Sequence, residues 1–428
     1  MSTLTRSHLH GGAKASEEGT GLTGPLPTRS LDAATAARDR SPSPYGVLAA
    51  TTPTSRELGF YIHVPFCAER CPFCSFNTAP LEAGAMARYL VAVQREIGLL
   101  GALPWAADVT LVTVFFGGGT PSLLAPDDLG RIVELLRGRF VLAADAEVTV
   151  ECNPESVSRE QLAAYRAAGV TRVSLGVQSL DDGLLPRLGR LHSAGQARTA
   201  FDAARAAGYA NVSVDVMYGL PGLDVAGWTR AVQTVLDWQP EHLSAYGLTL
   251  DAGSVWGATA VAGLPSEDVV VDQYWALVEV AAARDFEHYE ISNYARPGFR
   301  SRHNQIYWQA AEYLACGPGA CGFVGDVRYG NAKPVPRYCA MLEGGALPLD
   351  VSERLTARQR RGERLVLGLR TADGVPAEWL EERLGDDRAL GRRIADWEQA
   401  GWLQRRGGRV TLTEAGFLRS DALFVDLL

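Results

Sequence analysis

From Gly59 to Gly247 the chain repeats one unit: a short run rich in β-branched and aromatic residues, a turn, then a longer amphipathic stretch. The short runs are Phe60–Val64, Val109–Phe116, Glu147–Glu151, Arg172–Val177, Asn211–Met217 and His242–Tyr246. Between them lie Met86–Leu100, Pro126–Gly138, Arg159–Ala168, Gln196–Ala207 and Val225–Trp238, whose apolar residues recur at helical spacing. This alternation predicts an α/β protein built of βαβ units on a parallel sheet, with right-handed crossovers. Several runs are apolar nearly throughout, which predicts strands covered on both faces. Six such units suit an open sheet or most of a barrel, and spacing alone fits both.

The flanks set the domain plan. Residues 1–58 hold one aromatic, Tyr45, among many Gly, Ser, Thr, Ala and Pro, without apolar periodicity. Such a segment cannot offset its ordering entropy, so a flexible tail is expected. Glu17, Glu18, Asp32 and Asp39 argue against a transit peptide, and no continuous apolar stretch marks a secretion signal. A cytoplasmic protein is expected, without a membrane span, because no run of eighteen apolar residues occurs. After the core over 59–250 comes an aromatic- and Gly-rich extension over 251–349. From about Asp350 the chain turns helical again: Leu390, Ile394 and Trp397 follow i, i+4, i+7 and Gly401 stops the helix. Leu403 to Leu412 then reads as a hairpin turning at Gly407-Gly408, which makes 350–428 a helical, winged-helix-like domain. Its fourteen basic and fourteen acidic residues cancel, and the whole chain carries −8. Neither figure suits phosphate binding, so no nucleic-acid partner is expected and the domain is read as structural or protein-contacting.

Three of the seven cysteines crowd into Cys67-Ala68-Glu69-Arg70-Cys71-Pro72-Phe73-Cys74, a C-x3-C-x2-C loop leaving the first strand. A disulfide framework does not have this pattern; a metal site in a reducing compartment does. Thiolates suit iron–sulfur clusters, copper or zinc. A structural zinc site wants a fourth ligand, and Phe76 stands two residues after Cys74; His63 could turn toward the loop, at a spacing unlike a zinc finger's. A [4Fe–4S] cluster held by three cysteines leaves one iron open to a substrate or cofactor. The bland alternative is three structural thiols. Cys152, Cys316, Cys321 and Cys339 are scattered and read as ordinary thiols.

The next motifs fall at successive strand ends, where the functional loops of a parallel sheet lie. Gly117-Gly118-Gly119-Thr120 offers close backbone approach and N–H groups for a carboxylate, with Thr120 either capping the next turn or touching the ligand. Glu151 ends the third strand, Gln178 the fourth with Arg190 twelve residues on, and Asp215 sits inside the apolar fifth strand, where an acid wants a partner or a ligand.

Together these motifs resemble the HemN-like branch of the radical S-adenosyl-L-methionine (radical SAM) family, from about Phe60 to the C-terminus. The resemblance implies a partial (β/α)6 barrel with a C-terminal helical domain. It implies a [4Fe–4S] cluster on Cys67, Cys71 and Cys74. It also implies an S-adenosyl-L-methionine site lined by Tyr61, Phe73, Gly118, Gly119, Thr120, Glu151, Gln178, Arg190 and Asp215, and an electron donor. Within the branch, the oxygen-independent coproporphyrinogen III oxidase has a further cysteine where this chain has Phe76. Phe76 and the run His303-Asn304-Gln305-Ile306-Tyr307-Trp308 are instead similar to the HemW-type heme chaperones. That resemblance implies heme bound through His303, Tyr307 and Trp308 and handed to an acceptor protein, rather than turnover of a porphyrinogen. His303 could ligate iron, and the two aromatics offer faces to a porphyrin. The family usually reads His-Ser after Gly-Pro-Gly-Ala; here Cys321-Gly322 follow Ala320, so Cys321 would have to stand in as a thiolate if that histidine binds heme. The rivals are the oxidase itself, a HemN-like methyltransferase, and an iron–sulfur protein whose C-terminal module serves assembly.

Overall fold

The computed structural model describes residues 45–385 and 387–427. Helix α1 (Tyr45–Ala49) leads into strand β1 (Glu57–Val64). Then β2 (Thr110–Gly118), β3 (Val141–Cys152), β4 (Arg172–Gln178), β5 (Val212–Tyr218) and β6 (His242–Gly247) join in chain order, each parallel to the last. The crossovers are α2 (Ala85–Leu100), α3 (Pro126–Arg139), α4 (Arg159–Ala167), α5 (Ala194–Ala206) and α6 (Val225–Asp237). Three of these helices start where a side chain accepts an otherwise orphaned amide: Ser158 caps α4, Ser193 and Gln196 form a capping box on α5, and Asp224 caps α6.

The two edges of this six-stranded unit do not meet. Beyond β1 the sheet continues with Tyr313–Cys316, parallel, then antiparallel Cys321–Val324, Val327–Asn331 and Leu349–Arg354. Beyond β6 it continues with Asn293–Ala295 and Glu287–Glu290. The result is a twelve-stranded sheet with a partial six-unit barrel at its centre.

The barrel strands are covered on both faces, as expected, but only one of those faces is apolar. Val148, Val150, Val173, Leu175, Val212, Val214 and Leu243 pack into the main core. In the register, Thr149 lies beside Arg172, Glu151 beside Ser174, Ser174 beside Ser213, and Asp215 beside Ser244. Partners in a parallel ladder share a face, so the other face is polar. The strands look uniformly greasy because the polar residues are mostly small hydroxyls among larger aliphatics.

The expected tail boundary at residue 58 also moves. Residues 1–44 lie outside the described set, but Leu48 is fully buried, its carbonyl accepts from Trp105 Nε1 at 3.1 Å, and the amides of Thr54 and Ser55 donate to the Glu312 carboxylate. These contacts are long-range, so no local periodicity announces them. At the other end, helices Ala357–Leu369, Ala377–Leu384 and Arg388–Gln399 and the hairpin Leu403–Arg406/Arg409–Leu412 enclose their own core of Leu365, Leu380, Leu390, Ile394, Trp397 and Val410. This is the winged-helix-like arrangement expected, with Gly407 and Gly408 both at positive φ in the turn. Among the described residues no helix is long and apolar enough to cross a membrane.

Candidate functional site

The cysteine loop leaves β1 at Pro65 and is closed at its base, where Phe66–Cys67 pairs with Ala79–Pro80. Cys67, Cys71 and Cys74 are half-buried free thiols, with the Cys74 amide donating to the Cys71 carbonyl at 3.1 Å. Burial pushes the Cys67 and Cys74 thiols up; the Thr120 hydroxyl opposes this at Cys67, and the Phe76 amide at Cys74. Among the described residues no three Cys, His, Asp or Glu side chains gather closely enough to hold one metal ion. Three thiols on one loop are a soft donor set of the kind that holds an iron–sulfur cluster.

His63 does not turn toward the thiols. Its Nε2 lies 2.8 Å from the Asn77 carbonyl and its Nδ1 3.0 Å from the Tyr61 hydroxyl. A carbonyl can only accept, so Nε2 carries the hydrogen and Tyr61 donates to Nδ1. His63 is a brace for the loop.

The glycine run serves approach, not an open anion nest. A Cβ on Gly118 (φ +114°) would meet the His63 ring at 2.6 Å, and one on Gly119 would meet the Phe66 carbonyl at 2.6 Å. Their amides are already taken: Gly118 N donates to Glu151 Oε2 at 3.1 Å, Gly119 N to the Val64 carbonyl and Thr120 N to the Phe66 carbonyl, both at 2.7 Å. The expected free N–H groups at these residues are therefore absent, because the two loops satisfy each other. Thr120 is buried and makes no side-chain cap.

Arg190 ties three segments together. One guanidinium nitrogen donates to Asn153 Oδ1 at 2.7 Å and to the Gly176 carbonyl at 2.8 Å; the other lies 3.7 Å from Cys71 Sγ. Gln178, at φ +64°, brings its amide over the same glycine. Asn153 completes this group and was not singled out from sequence, although it follows the Glu151 strand end. Phe73 anchors the cysteine loop among Leu184, Met217 and Leu220, with Trp256 6.2 Å away.

Burial and the nearby Asp215 raise the Glu151 carboxyl to about 7. Burial also raises Asp215, which has the partners its place in an apolar strand demanded: Ser174 Oγ at 3.0 Å and Ser213 Oγ at 3.2 Å. Behind Ser213 runs a chain with one consistent direction. The Ser301 amide donates to Tyr289 Oη (3.2 Å), Tyr289 to His242 Nε2 (2.8 Å), His242 Nδ1 to Ser213 (2.8 Å), and Ser213 to Asp215. The sequence signal for His242 and Ser213 was only the strand alternation.

The third expected group divides. His303 is 1% exposed, and Thr113 Oγ1 (2.7 Å) and Tyr307 Oη (2.8 Å) occupy both ring nitrogens. Phe115 stacks on its ring at 5.1 Å, and burial first, then Arg172, lowers its pKa to about 3. Trp308 does not join them: it faces the C-terminal domain, with the Arg370 guanidinium 5.0 Å from its ring. Residues 303 and 307 are one helical turn apart and share a face; residue 308 points well away from it. Cys321 is an exposed free thiol.

A partial barrel carrying its cysteine loop beyond the first strand, with polar groups at the following strand ends, is the framework of a radical SAM protein, and residues 61–234 match the radical SAM superfamily. Residues 355–419 match the HemN C-terminal domain. The chain is 39% identical to the heme chaperone HemW of Mycobacterium tuberculosis over 325 residues, 74% of this chain and 83% of that one. It is 32% identical to HemW of Bacillus subtilis over 327 residues, 76% and 86% of the two chains. The solved coproporphyrinogen III oxidase (HemN) of Escherichia coli has the same fold, with a TM-score of 0.78 at 22% identity over 89% of this chain and 92% of that one. The chain belongs to the HemW family.

Proposed function

We propose that the protein is a heme chaperone that carries a [4Fe–4S] cluster on Cys67, Cys71 and Cys74, binds S-adenosyl-L-methionine exchangeably, and passes heme to an acceptor protein. The observation that carries this reading is the 39% identity to a heme chaperone across three-quarters of the chain. Phe76, 60% exposed in place of the oxidase's extra cysteine, also supports it.

Bound at the strand ends, the cluster and S-adenosyl-L-methionine would supply one-electron chemistry, given an electron donor. The chain's own residues hold the site. Arg190 places positive charge against Cys71, while Tyr61, Phe73, Gly118, Gly119 and Thr120 would line the cofactor site. Glu151, Gln178 and Asp215 are suited to accept or donate hydrogen bonds to the cofactor's amine and hydroxyls. Heme ligation by His303 requires release of Thr113 or Tyr307, because a nitrogen already donating or accepting offers no lone pair to iron. Tyr307, half-exposed beside it, is the contact such a movement would displace.

Optical titration of the full chain with heme, with and without the cluster, tests the reading. Tight heme binding is expected, with His303→Ala weakening it; unchanged affinity in that variant removes His303 from the heme site. Incubation of the reconstituted protein with coproporphyrinogen III and S-adenosyl-L-methionine is expected to leave the porphyrinogen intact, and robust protoporphyrinogen formation would return the oxidase reading.

A further inference from the structure

Between the barrel extension and the C-terminal domain lies a cleft of about 190 Å3 that the cofactor site does not use. Trp308 and Arg300 line it from the barrel side, Trp379, Arg364 and Arg409 from the C-terminal domain, and Asp373 is the one acid among its lining residues. Arg300 is paired, donating to Asp373 at 2.8 Å and Glu287 at 3.2 Å. Arg409 reaches the main-chain carbonyls of Asp373 and Gly374. Arg364 lies over Trp379, 3.6 Å from the ring centre, and its buried Nε–H has no partner among the described residues. The buried indole N–H of Trp308 has none either. Three guanidiniums against the one carboxylate of Asp373 leave the lining of the cleft net positive, which suits an anionic group. A guanidinium surplus beside flat indole faces selects a carboxylate attached to a planar ring.

We infer that this cleft holds a propionate carboxylate of the heme, an inference that rests on the heme reading above. Pockets for drug-sized ligands run from roughly 300 to 1,000 Å3, so a cleft this small takes an acid arm and leaves the macrocycle at its mouth, against Trp308 and Trp379. Trp308 would then contact heme through the carboxylate edge, independently of what His303 does on the other face of the same helix.

Titration of the full chain with heme and with heme dimethyl ester, followed by absorbance, separates the arms of this inference. The ester keeps iron and ring but lacks the acids. Wild type is expected to prefer the diacid by about tenfold or more, the effect of one well-placed charge-assisted contact. Arg364→Met and Arg409→Met should each erase most of that preference while leaving ester affinity unchanged. If Arg364→Met fails to fold, Arg409→Met, on the exposed hairpin, carries the test. Wild type binding both ligands equally, or variants that keep the preference, overturns the cleft and leaves the heme reading standing. Wild type binding neither ligand ends both.

Discussion

Arg190 stands between Cys71 and Asn153, one guanidinium nitrogen 3.7 Å from the sulfur and the other 2.7 Å from the amide oxygen. A positive charge beside a thiolate ligand stabilises the extra electron of a reduced cluster. Arg190→Met is therefore expected to lower the midpoint potential of the reconstituted cluster, on the order of tens of millivolts. Arg190→Lys should recover part of the potential but not the bridge to Asn153 and Gly176, since an ammonium cannot reproduce the fork. An unchanged potential in Arg190→Met, read by redox titration, would contradict this role.

Gly119→Ala should abolish cluster incorporation while the barrel still folds. The added methyl meets main chain at Phe66 and Pro65, neither of which can swing aside, so the cysteine loop must shift. Iron content per chain after anaerobic reconstitution is the measurement, with circular dichroism as the control. Full iron loading would show that the loops need not touch.

The carboxyl of Glu151 is raised to about 7, chiefly by burial and next by Asp215. A raised acid favours the protonated folded state, so its contribution to stability is present below about pH 4.5 and is lost as pH rises toward 7. Glu151→Gln in the metal-free protein should flatten the fall in unfolding free energy over that window. The slope should not vanish, because Glu96, also raised to about 7 by burial, behaves alike. Denaturant melts at a series of pH values supply the answer; an unaltered slope would show that Glu151 is ionised throughout.

Tyr289→Phe removes the donor to His242 Nε2 and the acceptor for the Ser301 amide. Two buried groups lose their partner, at a cost of about 1–3 kcal/mol each where water cannot enter. A loss of that order is expected in urea unfolding. A neutral result would mean that water or a rotated serine closes the gap.

The barrel helices and most strands were readable to within about three residues, because a change of period from two to 3.6 is a local property; the third strand, which starts at Val141 rather than Glu147, is the exception. The cysteine spacing and the winged C-terminal hairpin were readable for the same reason. The misread features depend on distant contacts. Leu48 looks like part of a featureless tail until Trp105 accepts it into the core. The glycine amides look free until Glu151, Val64 and Phe66 claim them. The polar barrel face was hidden for a related reason: serine and threonine between valines barely disturb the hydropathy of a strand, yet they set what the interior can do.

The first strand finds its outer neighbour, Tyr313–Cys316, only after the whole six-unit core has been synthesised. Until then a nascent chain displays an unsatisfied row of main-chain donors and acceptors along β1. Premature termination near Gly247 would leave that row permanently open, so such fragments should self-associate, whereas chains continuing past Arg354, which complete that side of the sheet, should stay dispersed.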